Sequence, residues 1–515
     1  MFARLTDRAR PPLAESIPPP ETSASFPSGH ALNSIIWIPV MSSRVEDGLL
    51  VTELPPQILR LRNRWRRRAA AARDSRITFR HPVWPELHIL RGLRDVSYSG
   101  LSFFADPRTD LVYPGLILPS VEIHQPGHET IVTAAEVRSV FTTTDGRRAC
   151  GVQLFPHTSQ VHARWTESVN DVLHPSTSIG SRWTEATWEL YEASGYFNLS
   201  GKDAPDFADM KREFAELGCH LDGAEHVGFR AVRPSSTDKS VADASMSVFK
   251  IYSNSWIGHQ LAKRRGQQSP AESKQVLRDI YLRALEPLQA DSTFEYFMCY
   301  AEAKVRWMNA AHHEFALPFE AQGDSISQLF RLMESGTAPG TFPVDARFTI
   351  GEAMPAERAL LLDHIARTRP AIYRKALDLE PSRLDLTTPR RHWATAGLSL
   401  DRVVVAVRKN GRAVVAAIVE AAEPGTNLFH ILESVRLFPL VSDLDAEEME
   451  AAMEQGLRAA AEWLSAQGND KFVYICENNA GAHTARLTDL GEGRFWAISR
   501  HLLPEFLDHI HRLTS

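Results

Sequence analysis

Between residues 60 and 100 the 515-residue chain places a dense run of arginines ahead of a short turn of small polar residues. The run, LRLRNRWRRRAAAAR, ends at Arg73, and the turn, DVSYSG, spans Asp95 to Gly100. Guanidinium forks bind phosphate oxygens and the N7/O6 edge of guanine, while a carboxylate accepts from guanine N–H groups. Together the two stretches suit an anion that carries guanine bases. Asp, Ser and Gly are also ordinary turn formers, and an arginine run is also the mark of a solvated helix or a nucleic-acid patch.

The elements around the turn must then position it. It lies between two strand-like runs, HILRGL and LSFF, at a strand end where backbone and short side chains are exposed. From Arg76 to Phe155 apolar and polar residues alternate, broken by Pro and Gly, which predicts short antiparallel strands including GLILPSVEI, TIVTAAEVRSVF and ACGVQLF. Leu59 to about Arg73 reads as a basic helix or an extended arm.

This pattern resembles the PilZ domain, a bacterial receptor for cyclic diguanylate, in which an RxxxR motif precedes a strand ending in D/NxSxxG and a small antiparallel barrel. DxSxxG is matched by Asp95, Ser97 and Gly100, and Gly151 and Phe155 stand where the family ends its barrel. RxxxR can be read at Arg60/Arg64, Arg62/Arg66, Arg64/Arg68 or Arg76/Arg80, whereas the family's usual position reads RRAAAAR, one residue longer. The resemblance covers about Arg60 to Phe155. It implies cyclic diguanylate as the ligand, held by Arg64, Arg67, Arg68 and Arg73 with Asp95, Ser97 and Gly100.

The totals restrict the rest. At about 150 residues per domain the length predicts three domains. With 43% hydrophobic and 23% charged residues the chain has the composition of a soluble globular protein, and a net charge of −6 argues against a general nucleic-acid binder. Cys150, Cys219, Cys299 and Cys476 lie far apart with no CxxC spacing, so neither a structural metal site nor a disulfide framework is expected, and the cytoplasm is the expected setting. No apolar run reaches the length of a membrane span, and MFARLTDRARPPLAE lacks the apolar core of a signal peptide.

Residues 1–58 are rich in Pro and Ser and read as disordered or loosely packed. Within them Arg10-Pro11 and Pro27 to His30 resemble two motifs of the type-two phosphatidic acid phosphatase family; the third motif and the membrane helices are lacking, which fits a gene-fusion remnant or a misplaced start better than an active phosphatase. The barrel and its arm are placed at 59–160, followed by a linker around His157 to Ser181.

Beyond it, helices alternate with strands. After a boundary at Gly336 to Pro343 come a hairpin with Asn410-Gly411 at its tip, the strand FHILESVRL, a long helix from Glu447, the strand KFVYICEN and a last strand RFWAISR. That order resembles the GNAT acyltransferase fold, and the preceding segment reads as a degenerate copy, giving GNAT-like units at 181–340 and 341–515. The expected fold is therefore α+β and multidomain, a small antiparallel barrel followed by two mixed α/β units.

The resemblance implies an acyl-CoA pyrophosphate loop at a helix start. The corresponding RLFPLVSDLDAEEMEA has no glycine and carries Asp443, Asp445, Glu447 and Glu448, and AKRRGQQS around Lys263 to Ser269 has only Gly266. No catalytic residue is assigned. Tyr474, Glu477, Asn478, Glu420 and Glu433 are expected to line a cleft, Cys476 is expected in the core, and adjacent His312, His313 and Glu314 do not make a metal site. The function expected is a cyclic diguanylate-binding signalling protein that passes the message to the GNAT-like module and to a protein partner not specified by the sequence. The alternative is an acyl- or aminoacyl-transferase with a non-binding docking barrel.

Overall fold

The computed structural model describes residues 68–106, 108–199, 204–265, 270–477 and 486–514, and the backbone of four short strands nearer the N-terminus. Arg64, Arg67, Arg10-Pro11, Pro27 to His30, Gly266 and Asn478 lie outside the residues so described. Of the four strands, β1 (Ser34–Ile36) pairs with β4 (Arg60–Arg62) and β2 (Ser43–Glu46) with β3 (Leu49–Thr52), both antiparallel. The chain divides into two compact units, Met1–Leu173 and His174–Ser515. The fold is α+β, a closed six-stranded antiparallel barrel followed by a large mixed sheet covered by helices.

In the first unit, β6 (Arg76–Arg80), β7 (His88–Ser97), β8 (Gly100–Phe104), β9 (Ile117–His124), β10 (Ile131–Thr142) and β11 (Arg148–Phe155) run in the order 7-6-9-10-11-8, and β7–β8 pairing closes the ring. Alternation aims one face inward, as a half-buried strand requires. Ile77, Phe79, Val96, Leu101, Phe103, Leu118 and Val121 are buried, with Phe79 and Phe103 edge to face at 5.8 Å.

Of the two readings of the arm, the extended one holds where it is described. β5 (Ala69–Ala70) pairs with the end of β7, Ala69 opposite Val96 and Ala70 opposite Asp95, so sheet pairing takes up amides that a helix would have used. The linker expected from His157 contains instead the helix α1 (Ser159–Leu173). Trp165, Val169 and Leu173 recur every four residues along it and are buried, a stripe that outweighs the polar residues around it.

The second unit is built on one eleven-stranded sheet. Its first part is α2 (Thr184–Ser194), α3 (Ala204–Leu221), β12 (Gly228–Pro234), β13 (Ala242–Phe249), β14 (Ser255–Lys263), α4 (Pro270–Leu285), β15 (Tyr296–Glu302), α5 (Arg306–Met308), α6 (Glu314–Glu320) and β16 (Ser325–Gly336). There follow β17 (Phe348–Glu352), α7 (Pro355–Thr368), α8 (Ala371–Ala376), α9 (Thr387–Thr395), β18 (Leu400–Lys409), β19 (Arg412–Ala422), β20 (Ser434–Pro439), α10 (Ala446–Ala466), β21 (Lys471–Cys476), β22 (Thr488–Ser499) and α11 (Leu503–Leu513).

The spatial order is 12-13-14-15-22-16-21-20-19-18-17. Two pairs are parallel, β14–β15 and β20–β21, each bridged by a helix as a parallel crossover demands. The β18–β19 hairpin turns at Asn410 (φ 53°) and Gly411 (φ 78°), the left-handed pair of a two-residue hairpin loop. Among the described residues no helix is long and apolar enough to cross a membrane.

Candidate functional site

The DVSYSG stretch forms the turn between β7 and β8. Gly100 opens β8 against β11, and a Cβ there would stand 2.0 Å from the carbonyl oxygen of Val152, so close approach of the two backbones admits only glycine. Ser97 is buried and donates from Oγ to the Gly100 carbonyl at 3.0 Å, closing the turn on itself. Tyr98 donates to Asn170 Oδ1 of α1 at 2.6 Å, and Trp165 Nε1 donates to the carbonyls of Ser97 (3.2 Å) and Tyr98 (3.1 Å).

Asp95 is the half of the motif that faces outward. A register shift between Leu93 and Asp95 puts a bulge at Arg94, and bulges re-aim the side chains beside them. Asp95 thereby takes two guanidinium groups, Arg68 Nε on Oδ1 at 2.6 Å and Arg94 Nη1 on Oδ2 at 3.1 Å. The β5–β7 pairing delivers Arg68 to this point, and only its Nε is engaged by Asp95, which leaves its Nη fork directed elsewhere. Arg73 is exposed in the turn between β5 and β6.

Sequence reasoning missed two cations here. Arg94 is carried in by the bulge, for which the sequence has no signal. Arg138 of β10 donates to Gln153 Oε1 at 2.9 Å, and Gln153 is the strand partner of Gly100. The turn therefore has Arg68, Arg94 and Arg138 around it against Asp95 and the Arg138-paired Glu136 (2.7 Å), a surplus of positive charge beside small polar groups. Such a site can hold a phosphate through guanidinium forks and a base edge through the carboxylate.

In the second unit the residues expected to line one cleft are divided by the pleat. Tyr474 and Cys476 face α10, whereas Glu477 points to the opposite side of β21. Glu420 and Glu477 do meet, through Arg436: its Nη1 lies 2.8 Å from Glu420 and its Nε 3.6 Å from Glu477. Arg402 also pairs with Glu420 at 2.5 Å, and Tyr252 donates to it at 3.1 Å. Burial pushes the Glu420 carboxyl up, but the two guanidinium groups outweigh this and hold it below the usual carboxylate range. Glu433 is buried 3.6 Å from His430.

The α10 N-terminus is filled by the chain's own groups. Asp445 accepts from the Glu448 amide at 2.8 Å, Asp443 pairs with Arg412 and Glu448 with Lys409. His312 is buried among Trp496, Phe506 and Tyr281, and His313 Nδ1 meets Ser327 Oγ at 2.8 Å, so the two imidazoles serve different neighbourhoods. Among the described residues no cluster of His, Cys, Asp or Glu has the geometry of a metal site.

No family profile and no curated protein matches the chain. Solved structures do. A complex of Klebsiella pneumoniae MrkH with c-di-GMP is similar over 26% of this chain and 63% of its own, with 16% identity and a TM-score of 0.20. The PilZ domain of Escherichia coli YcgR with c-di-GMP is similar over 22% of this chain and 93% of its own, at 11% identity and a TM-score of 0.19. A GCN5-related glucosamine N-acetyltransferase region of a fungal multi-domain β-N-acetylglucosaminidase is similar over 62% of this chain and 38% of its own, at 13% identity and a TM-score of 0.32. The chain thus spans under two thirds of MrkH, and at these scores the site must be read from its own geometry.

Proposed function

We propose that the barrel unit is a PilZ-like receptor for cyclic diguanylate, and that the chain passes ligand occupancy to a GNAT-like mixed unit with a signalling role. The observation that carries the reading is the β5–β7 pairing, which brings Arg68 of the arginine run to the DxSxxG turn and sets it on Asp95 at 2.6 Å. In this reading the Nη fork of Arg68, with Arg73, Arg64 and Arg67, takes the phosphates. Asp95 orients Arg68 and accepts from a guanine N–H, while Ser97 and Gly100 hold the turn in shape. The turn is tied to α1 through Tyr98 and Trp165, and α1 ends at Leu173, where the chain enters the second unit. A ligand that reorders the arm and turn therefore acts on the helix that leads out of the barrel.

Calorimetric titration of the full chain with cyclic diguanylate tests this. Saturable binding is expected, weakened about 10- to 100-fold by Asp95→Ala or Arg68→Ala, the weight of one or two hydrogen bonds to charge. A flat titration, or binding indifferent to both substitutions, removes the proposal.

A further inference from the structure

On the α2–α3 side of the sheet, Arg230 of β12 lies opposite Ser247 of β13, which lies opposite His259 of β14. Three adjacent strands thus carry one polar row into an interior otherwise made of Phe214, Phe249 and Tyr191. Arg230 is 6% exposed and His259 8% exposed. Arg230 Nε reaches toward Ser247 Oγ at 3.4 Å and the guanidinium stacks 3.6 Å from the centre of the Phe214 ring, so it leans along the row toward β14.

No carboxylate answers this charge. Among the described residues Arg230 makes no ion pair; the Tyr191 hydroxyl lies close enough to interact with its guanidinium, but Nη2 is buried with no acceptor in hydrogen-bonding geometry. The second half of the unit shows what a compensated case looks like: there a guanidinium at a cross-strand position, Arg402, faces Glu420, whereas Arg230 faces a serine. A buried charge without a counter-ion is costly, and burial, only partly offset by the Tyr191 hydroxyl, lowers the Arg230 pKa to about 10.

The imidazole of His259 has the same deficit. Asn427 Oδ1 accepts from the Phe429 amide (2.9 Å) and the Ile431 amide (3.2 Å), which fixes the side-chain amide so that Nδ2 donates to His259 Nδ1 at 3.1 Å. The ring therefore carries its proton on Nε2, and that N–H is buried without an acceptor. Next to it Gln260 takes a left-handed φ of 56° at a bulge in β14, a strained conformation for a side chain other than glycine. Its amide bonds Ser247 Oγ (2.7 Å) and the Thr426 carbonyl (3.3 Å), so it supplies the row with no free acceptor.

We propose that Arg230 and His259 are the floor of a binding site for a small organic carboxylate, one oxygen accepting from Arg230 Nη2 and the other from His259 Nε2–H. One positive charge and two unsatisfied donors on one cross-strand row match a planar monoanion. A phosphate dianion would bring surplus charge and a third oxygen against the aromatic walls of Phe214, Phe249 and Tyr191, which offer the guanidinium face and few donors. On the α2–α3 side Tyr191 is stacked on Tyr196 at 4.8 Å, and Tyr196 meets Phe429 at 5.1 Å.

The test is the thermal unfolding of the full chain with benzoate, with acetate and with inorganic phosphate at constant ionic strength. Saturable stabilisation by a carboxylate and none by phosphate is expected. Arg230→Leu, which removes the uncompensated charge, is expected to fold at least as well as the wild type without ligand and to weaken the carboxylate response at least about 10-fold. Wild-type protein indifferent to both carboxylates overturns the proposal, and this arm holds even if the variant does not fold. A phosphate-selective response, or a carboxylate response undiminished in Arg230→Leu, overturns it as well.

Discussion

His312 shows how a single buried side chain sets a condition on the whole fold. It is 2% exposed, with Trp496 at 4.7 Å and Phe506 at 5.2 Å, and burial, aided by His509, holds its imidazole down to about 3. The unfolded chain protonates at about 6.5. Between these values the unfolded state binds more protons than the folded one, so stability falls as pH falls through that window. His259, also held to about 3, adds in the same direction. Glu420, held low by Arg402 and Arg436, adds its own loss only below the ordinary carboxylate range. Urea unfolding of the full chain should lose about 2 kcal/mol for each of His312 and His259 between pH 7 and pH 5. His312→Leu should remove about 2 kcal/mol of that loss, His259 keeping its share; an unchanged slope would show that His312 does not carry the effect.

At the scale of elements, legibility followed local periodicity. The barrel strands and the 410–411 hairpin could be read because alternation and turn residues are written within ten residues of one another. Long-range features were not. The bulge that brings in Arg94 depends on pairing with β8, and Arg138 reaches the turn only because β10, β11 and β8 are neighbours in space. Helix α1 was hidden for a different reason: its stripe of Trp165, Val169 and Leu173 ends next to HPSTSIGS, whose turn residues suggest a linker.

That helix is a working part of the barrel. Trp165 fills a buried site and bonds two carbonyls of the motif turn at once. Trp165→Ala should destabilise the first unit by about 3–5 kcal/mol and speed hydrogen exchange of the 97–100 amides, while Tyr98→Phe, which loses the bond to Asn170, should cost about 1 kcal/mol. Exchange at the turn unmoved by Trp165→Ala would show that α1 does not support it.

The second unit as a whole is held together by an exchange of strands. Each half supplies one parallel pair, β14–β15 and β20–β21, and in each the second strand needs a partner on its free edge. The partner comes from the other half: β15 pairs with β22 from Tyr296–Ser499 to Glu302–Gly493, and β21 pairs with β16 from Arg331–Cys476 to Gly336–Lys471. β16 and β22 then pair with each other across ten residue pairs, joining the halves at the centre of the sheet. The cores follow the same rule, since Trp496 and Ile498 of β22 pack with Phe297 and Ile280 of the first half. A fragment of residues 174–340 would expose the edge of β15 and one of 341–515 the edge of β21, both apolar central strands with unpaired backbone. Neither fragment alone should give the dispersed amide spectrum of a folded domain, and co-expression of the two should restore one soluble heterodimeric unit. A fragment of 341–515 that folded alone and monomeric would mean that β16 is dispensable and that the halves are independent domains sharing an edge.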